Sequence, residues 1–143
     1  MSERYRRVRL EKLEIEELSD TECTSRVVLS WSPDDTYEGT ASADNSPRGQ
    51  LRCAAEATAR ALEAASDGKV WLEVLAVKAI EGFDTVLAIV SISSEIDIGE
   101  RLTGSCLIQG EAPRSAVLAV LSAINRLYGR AVLGDETSLS DRA

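Results

Sequence analysis

In Val70-Trp71-Leu72-Glu73-Val74-Leu75-Ala76-Val77-Lys78-Ala79-Ile80 the residues Val70, Leu72, Leu75, Val77 and Ile80 are spaced two, three, two, three. Val8, Leu10, Leu13, Ile15 and Leu18 show the same spacing 62 positions earlier. Alternation broken once by an extra residue is what a β-strand with a bulge, or a strand that changes face, leaves in a sequence. The earlier stretch is rich in Glu and Lys and also admits a helix from near Tyr5. The later one, rich in Val and Leu with Trp71 in it, reads as strand, and the shared spacing carries that assignment back to the first.

Each of these strands is followed by a second. After a polar break at 19–21, residues 23–31 alternate, with Val27, Leu29 and Trp31 on one side. After Gly82, residues 85–93 are more uniformly apolar. Alternation implies one wet face and an unbroken run implies burial on both. The second copy is therefore expected nearer the sheet centre, or at a subunit interface. Polar, acidic loops at 32–36 and 94–98 lead to third strands at 37–43 and 101–107, centred on Gly39-Thr40-Ala41 and Gly104-Ser105-Cys106. Small strand residues let a ligand, a side chain or a covering helix approach closely.

Each third strand leads into a helix through a Pro-Arg pair, in Asn45-Ser46-Pro47-Arg48 and Glu111-Ala112-Pro113-Arg114. Proline suits the first helical turn because its missing N–H has no partner there. Leu51, Ala54, Ala55, Thr58, Ala61 and Leu62 stripe one face of the first helix. Val117, Val120, Leu121, Ile124, Leu127 and Tyr128 stripe the second, 66 positions on. Ser66-Asp67-Gly68 and Gly129 close the helices. The predicted fold is α+β: two tandem β-β-β-α units, 8–68 and 69–133, in a single domain spanning 1–143. They form one antiparallel or mixed sheet packed against two helices, and 134–143 is expected to be a disordered tail.

Bulk properties narrow the functions. With 44% hydrophobic and 4% aromatic residues, the core must be aliphatic. A net charge of −8 repels phosphate backbones and anionic bilayers, so nucleic acid and membrane are poor partners. Arg4, Arg6, Arg7 and Arg9 are the one basic cluster, read as a solvated strand start. There is no histidine, which excludes His-based triads and His-ligated metals. Three dispersed cysteines, Cys23, Cys53 and Cys106, without CxxC spacing and without a signal-like segment, point to a reducing, cytoplasmic setting.

Three constellations could carry chemistry. The helix starts present free N–H groups beside Arg48 and Arg114, and Ser46, Arg48, Gly110 and Arg114 are the candidate ligand-binding residues for a carboxylate or phosphate. Asp34, Asp35 and Glu38, with Glu95, Asp97 and Glu100 in the corresponding loop, are oxygen donors, but their spacing fits no EF-hand and they read as solvated acids. Cys53, beside Arg52, and Cys106 read as buried structural thiols. No acid pair, Glu38 and Glu100 included, is placed for acid and base work, so no catalytic residue, metal or cofactor is assigned.

The organisation from Val8 to Tyr128 resembles the C-terminal regulatory domain of 2-isopropylmalate synthases. The stretches 69–77 and 85–92, and the late helix ending Ser122-Ala123-Ile124-Asn125-Arg126-Leu127, carry the likeness. The resemblance implies two strand-rich units each closed by a helix, dimerisation, and an amino-acid effector near the interface. The family's glycine-rich turns are replaced here by Ala43-Asp44-Asn45-Ser46-Pro47 and Gln109-Gly110-Glu111-Ala112-Pro113. The 143 residues hold neither the catalytic barrel nor the metal-binding histidines. The expected function is a non-catalytic regulatory or ligand-binding module that forms a homodimer and binds a small anionic metabolite or nucleotide. The alternative is a scaffold that self-associates through sheet edges or strand faces without a small ligand.

Overall fold

The structure, a computed structural model, describes residues 8–32, 35–67, 71–82, 85–94 and 100–127. Arg4, Arg6, Arg7, Asp34, Gly68, Glu95, Asp97, Gly129 and the tail at 134–143 lie outside the described residues.

Strands β1 (Arg9–Glu17), β2 (Glu22–Ser32) and β3 (Asp35–Asp44) form an antiparallel sheet and lead into α1 (Pro47–Ala65). Strands β4 (Leu72–Gly82), β5 (Thr85–Ser94) and β6 (Glu100–Leu107) form a second antiparallel sheet and lead into α2 (Ala112–Leu127). The α+β class and the two β-β-β-α units are as the sequence implied, and the Glu-rich stretch after Val8 is strand. Where one sheet was expected, the described strands make two of three strands each. At the first residues of β4, backbone groups of Leu72, Val74 and Leu75 are bonded by side chains of α1 where a neighbouring strand would otherwise pair.

The repeat is real, but its register differs from the spacing read in the sequence. Val27 of β2 pairs with Leu13 and Gly39, and Val90 of β5 pairs with Val77 and Gly104. Leu13 therefore corresponds to Val77, 64 positions on, and Leu10, opposite Leu29, corresponds to Val74, opposite Ile92. In this register the bulges coincide: the pairing slips between Leu10 and Lys12 in one sheet and between Val74 and Ala76 in the other. Leu75 is the extra residue, and its apolar side chain is what imitates Leu13 in the sequence.

The helices sit where the small residues let them. A β-carbon on Gly39 would fall against Ala57 O and Ala61 N of α1, and one on Gly104 against Ala119 O and Ala123 of α2. The close approach read from these glycines is thus made by helices. Seven of the 19 residues of α1 are Ala, which favours helix and keeps that face thin. The same contacts make Ala57 correspond to Ala119 and Ala61 to Ala123, an offset of 62 rather than the expected 66. Pro47 opens α1 ten residues before Ala57, whereas Pro113 is the second residue of α2, six before Ala119. The two Pro-Arg pairs are therefore not equivalent: α1 carries nearly one extra turn at its start, and the counterpart of Arg114 is Arg52.

Helix α1 lies on β2 and β3, reaches β4 and packs on α2, while α2 covers β5 and β6. Val27, Leu29, Leu62, Leu72, Ile92 and Ile124 are fully buried and belong to one cluster drawn from both units. Each such side chain contributes about 1.5–3 kcal/mol by leaving water. Ser66 is the C-cap of α1, and Asp67, not a glycine, takes the left-handed position after it with φ 59°.

Candidate functional site

The four residues singled out at the helix starts have separate settings. Ser46 is the N-cap of α1, and its Oγ accepts a hydrogen bond from Gly49 N at 3.0 Å, the ordinary capping interaction. Arg48, one residue into the helix, is exposed, as is Arg114 in the first turn of α2. Gly110, exposed, has φ 79°, which glycine adopts freely, and no heavy atom lies within 4 Å of where its β-carbon would stand. No hydrogen bond or ion pair among the described residues joins Ser46 and Arg48 to Gly110 and Arg114. Beside the first start, Thr21, Glu22, Ser42, Ala43 and Asp44 line an open depression of about 470 Å³.

A different set of residues joins the two units. Arg52, Glu56, Arg60 and Glu63 lie along one face of α1, their spacings of four, four and three following the helical turn. Arg52 donates from Nη2 to Val74 O at 2.8 Å and from Nη1 to Leu75 O at 3.5 Å, at the bulge of β4. Arg60 Nη2 donates to Leu72 O at 2.5 Å, and Leu72 N donates to Glu63 Oε2 at 3.0 Å. Glu56 holds Arg52 at 3.0 Å and Glu63 holds Arg60 at 3.2 Å, fixing both guanidinium groups over the strand edge. Arg52 adjoins Cys53 in the sequence, but its guanidinium turns to β4. The alternating charge at helical spacing was the available signal for this ladder.

The outer faces of the two sheets differ. On the first, Arg26 binds Glu38 at 2.6 Å and Glu14 at 3.0 Å, and Lys12 adds a bridge to Glu14 at 3.3 Å. The hydrogen bond from Lys12, and then that from Arg26, holds the Glu14 carboxyl below its ordinary value. Glu38 is thus an ion-pair partner on a solvated face, and Asp35 is exposed at the start of β3. In the next row Glu16 pairs with Thr24 and Thr24 with Ser42. The corresponding row of the second sheet is Ile80, Leu87 and Leu107. Ile80 and Leu107 are each 44% exposed, large apolar side chains where the first sheet has Glu16 and Ser42.

The thiols divide two to one. Cys23 at the start of β2 and Cys53 in α1 are fully buried with their Sγ atoms 3.7 Å apart, whereas Cys106 is half-buried on β6. Burial pushes the Cys53 thiol up from 9.0 to about 11, so it is a poor nucleophile near neutral pH. Among the described residues no three Cys, Asp or Glu side chains gather as a metal-ion site, and no helix is long and apolar enough to cross a membrane. No protein-family model matches the chain, and no curated protein matches it either.

Proposed function

We propose that the chain is a non-catalytic self-association module whose homodimer forms through the outer face of the β4–β5–β6 sheet. The observation that carries this reading is the Ile80, Leu87, Leu107 row, in register with the polar row Glu16, Thr24, Ser42 of the first sheet. Ile89, half-buried, stands in the adjoining row between Lys78 and Ser105. Charge favours a second copy as the occupant: on a chain of net charge −8, this face offers apolar and small hydroxyl residues around Lys78, with Glu73 and Arg101 only in the row of Ser93 at its far end, so two copies approach here with least repulsion. A basic partner would be drawn instead to the carboxylates around Glu14 and Glu38. The resemblance to the regulatory domain of 2-isopropylmalate synthases supports dimerisation in the same direction.

The size of the face sets the strength. Three strands of eight to eleven residues cover roughly 30 Å by 14 Å. That is about half of the ~800 Å² per partner of a stable interface, so the dimer is of the weak, concentration-dependent kind. Sedimentation velocity over a concentration series tests it: the parent chain is expected to pass from monomer to dimer, and the Ile80→Asp, Leu107→Asp double variant to stay monomeric with unchanged circular dichroism. A parent that is monomeric throughout, or a double variant that still dimerises, sinks the reading. Binding of a small anion at Ser46, Arg48, Gly110 and Arg114 is the lesser reading. The Ser46 acceptor is engaged by Gly49 N, and the two arginines occupy non-equivalent positions.

A further inference from the structure

We propose that Cys23 and Cys53 constitute a disulfide site whose oxidation pins α1 to the first sheet. Cys23 lies at the start of β2, opposite Ala43 in the ladder, and Cys53 lies in the first half of α1. Their sulfurs are in van der Waals contact at 3.7 Å. A bond of about 2 Å would require closure by less than 2 Å, within reach of side-chain rotation and a small shift of the helix. Each thiol is also within hydrogen-bond reach of a carbonyl oxygen, Cys23 Sγ of Asp44 O at 3.3 Å and Cys53 Sγ of Gln50 O at 3.6 Å. Neither contact holds the sulfurs apart. Cys53 O accepts from Ser25 Oγ at 2.7 Å, which fixes the helix backbone at the height of the strand that carries Cys23.

The chemistry is a two-electron oxidation by a peroxide. One sulfur attacks the peroxide oxygen, giving a sulfenic acid and releasing water. The second thiol then attacks the sulfenic sulfur, forming the S–S bond and releasing a second water. A low-molecular-weight disulfide can serve as the oxidant by exchange, leaving as two thiols. Because both sulfurs are fully buried, reaction awaits a local opening of α1 and is slower than that of half-buried Cys106. The bond closes a long chain loop and so restricts the unfolded state. It also anchors the helix whose Arg52 and Arg60 hold β4, tying the linkage between the units to the redox state of the pair.

The test uses the full chain carrying Cys106→Ser, which leaves Cys23 and Cys53 as its only thiols. It is exposed under native conditions to hydrogen peroxide or to oxidised glutathione, quenched, denatured and analysed by intact mass and peptide mapping. The expected product is a monomeric chain lighter by two hydrogen atoms, with the peptides of Cys23 and Cys53 joined. Its thermal midpoint is raised by roughly 10 °C, and dithiothreitol reverses the change. Thiols left unchanged, oxygen or glutathione adducts retained on either cysteine, or cross-links between chains would each overturn the proposal. Adding Cys23→Ser or Cys53→Ser must abolish the loss of two hydrogens; if those variants do not fold, the Cys106→Ser chain alone decides.

Discussion

A β-carbon at position 39 would lie 2.1 Å from the carbonyl oxygen of Ala57, and one at position 104 would lie 2.0 Å from that of Ala119. Both obstacles are helix backbone, so no rotamer change relieves them and the helix itself must withdraw from the sheet. Gly39→Ala and Gly104→Ala are each expected to lower stability by about 1–3 kcal/mol or more. Gly82→Ala, where nothing lies within 4 Å, should stay within about 0.5 kcal/mol. Urea unfolding midpoints compare the three, and equal midpoints would contradict the close packing. At this scale the sequence was legible where the chemistry is local: the small residues of each third strand marked a close approach, and Ser46 before Pro47 marked a cap. It did not distinguish a ligand from a helix as what comes close. Nor did it pair Cys23 with Cys53, since that contact is made by folding a strand under a helix 30 residues away and leaves no periodic trace.

Secondary-structure elements were legible by period, but their correspondence was not. An apolar residue in the bulge of β4, Leu75, shifted the apparent repeat from 64 to 62. A buried stripe recurring about every four residues let α2 be matched to α1 one turn out of place. Only pairing partners and glycine contacts, which are tertiary, remove that ambiguity. The same level holds the inter-unit ladder, and it predicts a mutational outcome. Arg52→Met keeps the aliphatic stem but leaves Val74 O and Leu75 O without their donor. Loss of charge-assisted hydrogen bonds at a part-buried edge costs about 1–3 kcal/mol. Arg52→Lys should recover only part of this, because an ammonium cannot span two carbonyls as a planar guanidinium does. Glu63→Gln is expected to speed amide exchange at Leu72, whose N–H it accepts. Hydrogen exchange resolved by residue checks both substitutions: if exchange along β4 is unchanged in either variant, the ladder does not hold the edge.

The whole molecule joins two sheets through helix α1 and distributes charge unevenly over them, which makes its self-association testable by salt. The net charge of −8 opposes approach of two copies at low ionic strength. The Debye length shortens from about 30 Å at 0.01 M to about 8 Å at physiological salt, so that long-range repulsion is largely screened. The contact is apolar around Ile80 and Leu107, and among the described residues no ion pair lies on that face to be lost. Dimerisation should therefore strengthen from 0.01 M to 0.15 M sodium chloride, hold at 1 M, and strengthen further in sodium sulfate, which favours burial of apolar surface. A dimer made through the Glu14, Arg26 and Glu38 network of the other sheet would show the opposite trend above 0.15 M, since exposed ion pairs weaken as they are screened. Sedimentation equilibrium across these salts separates the two faces. A dissociation constant that rises steadily with sodium chloride would place the contact on the first sheet and remove the second from the interface.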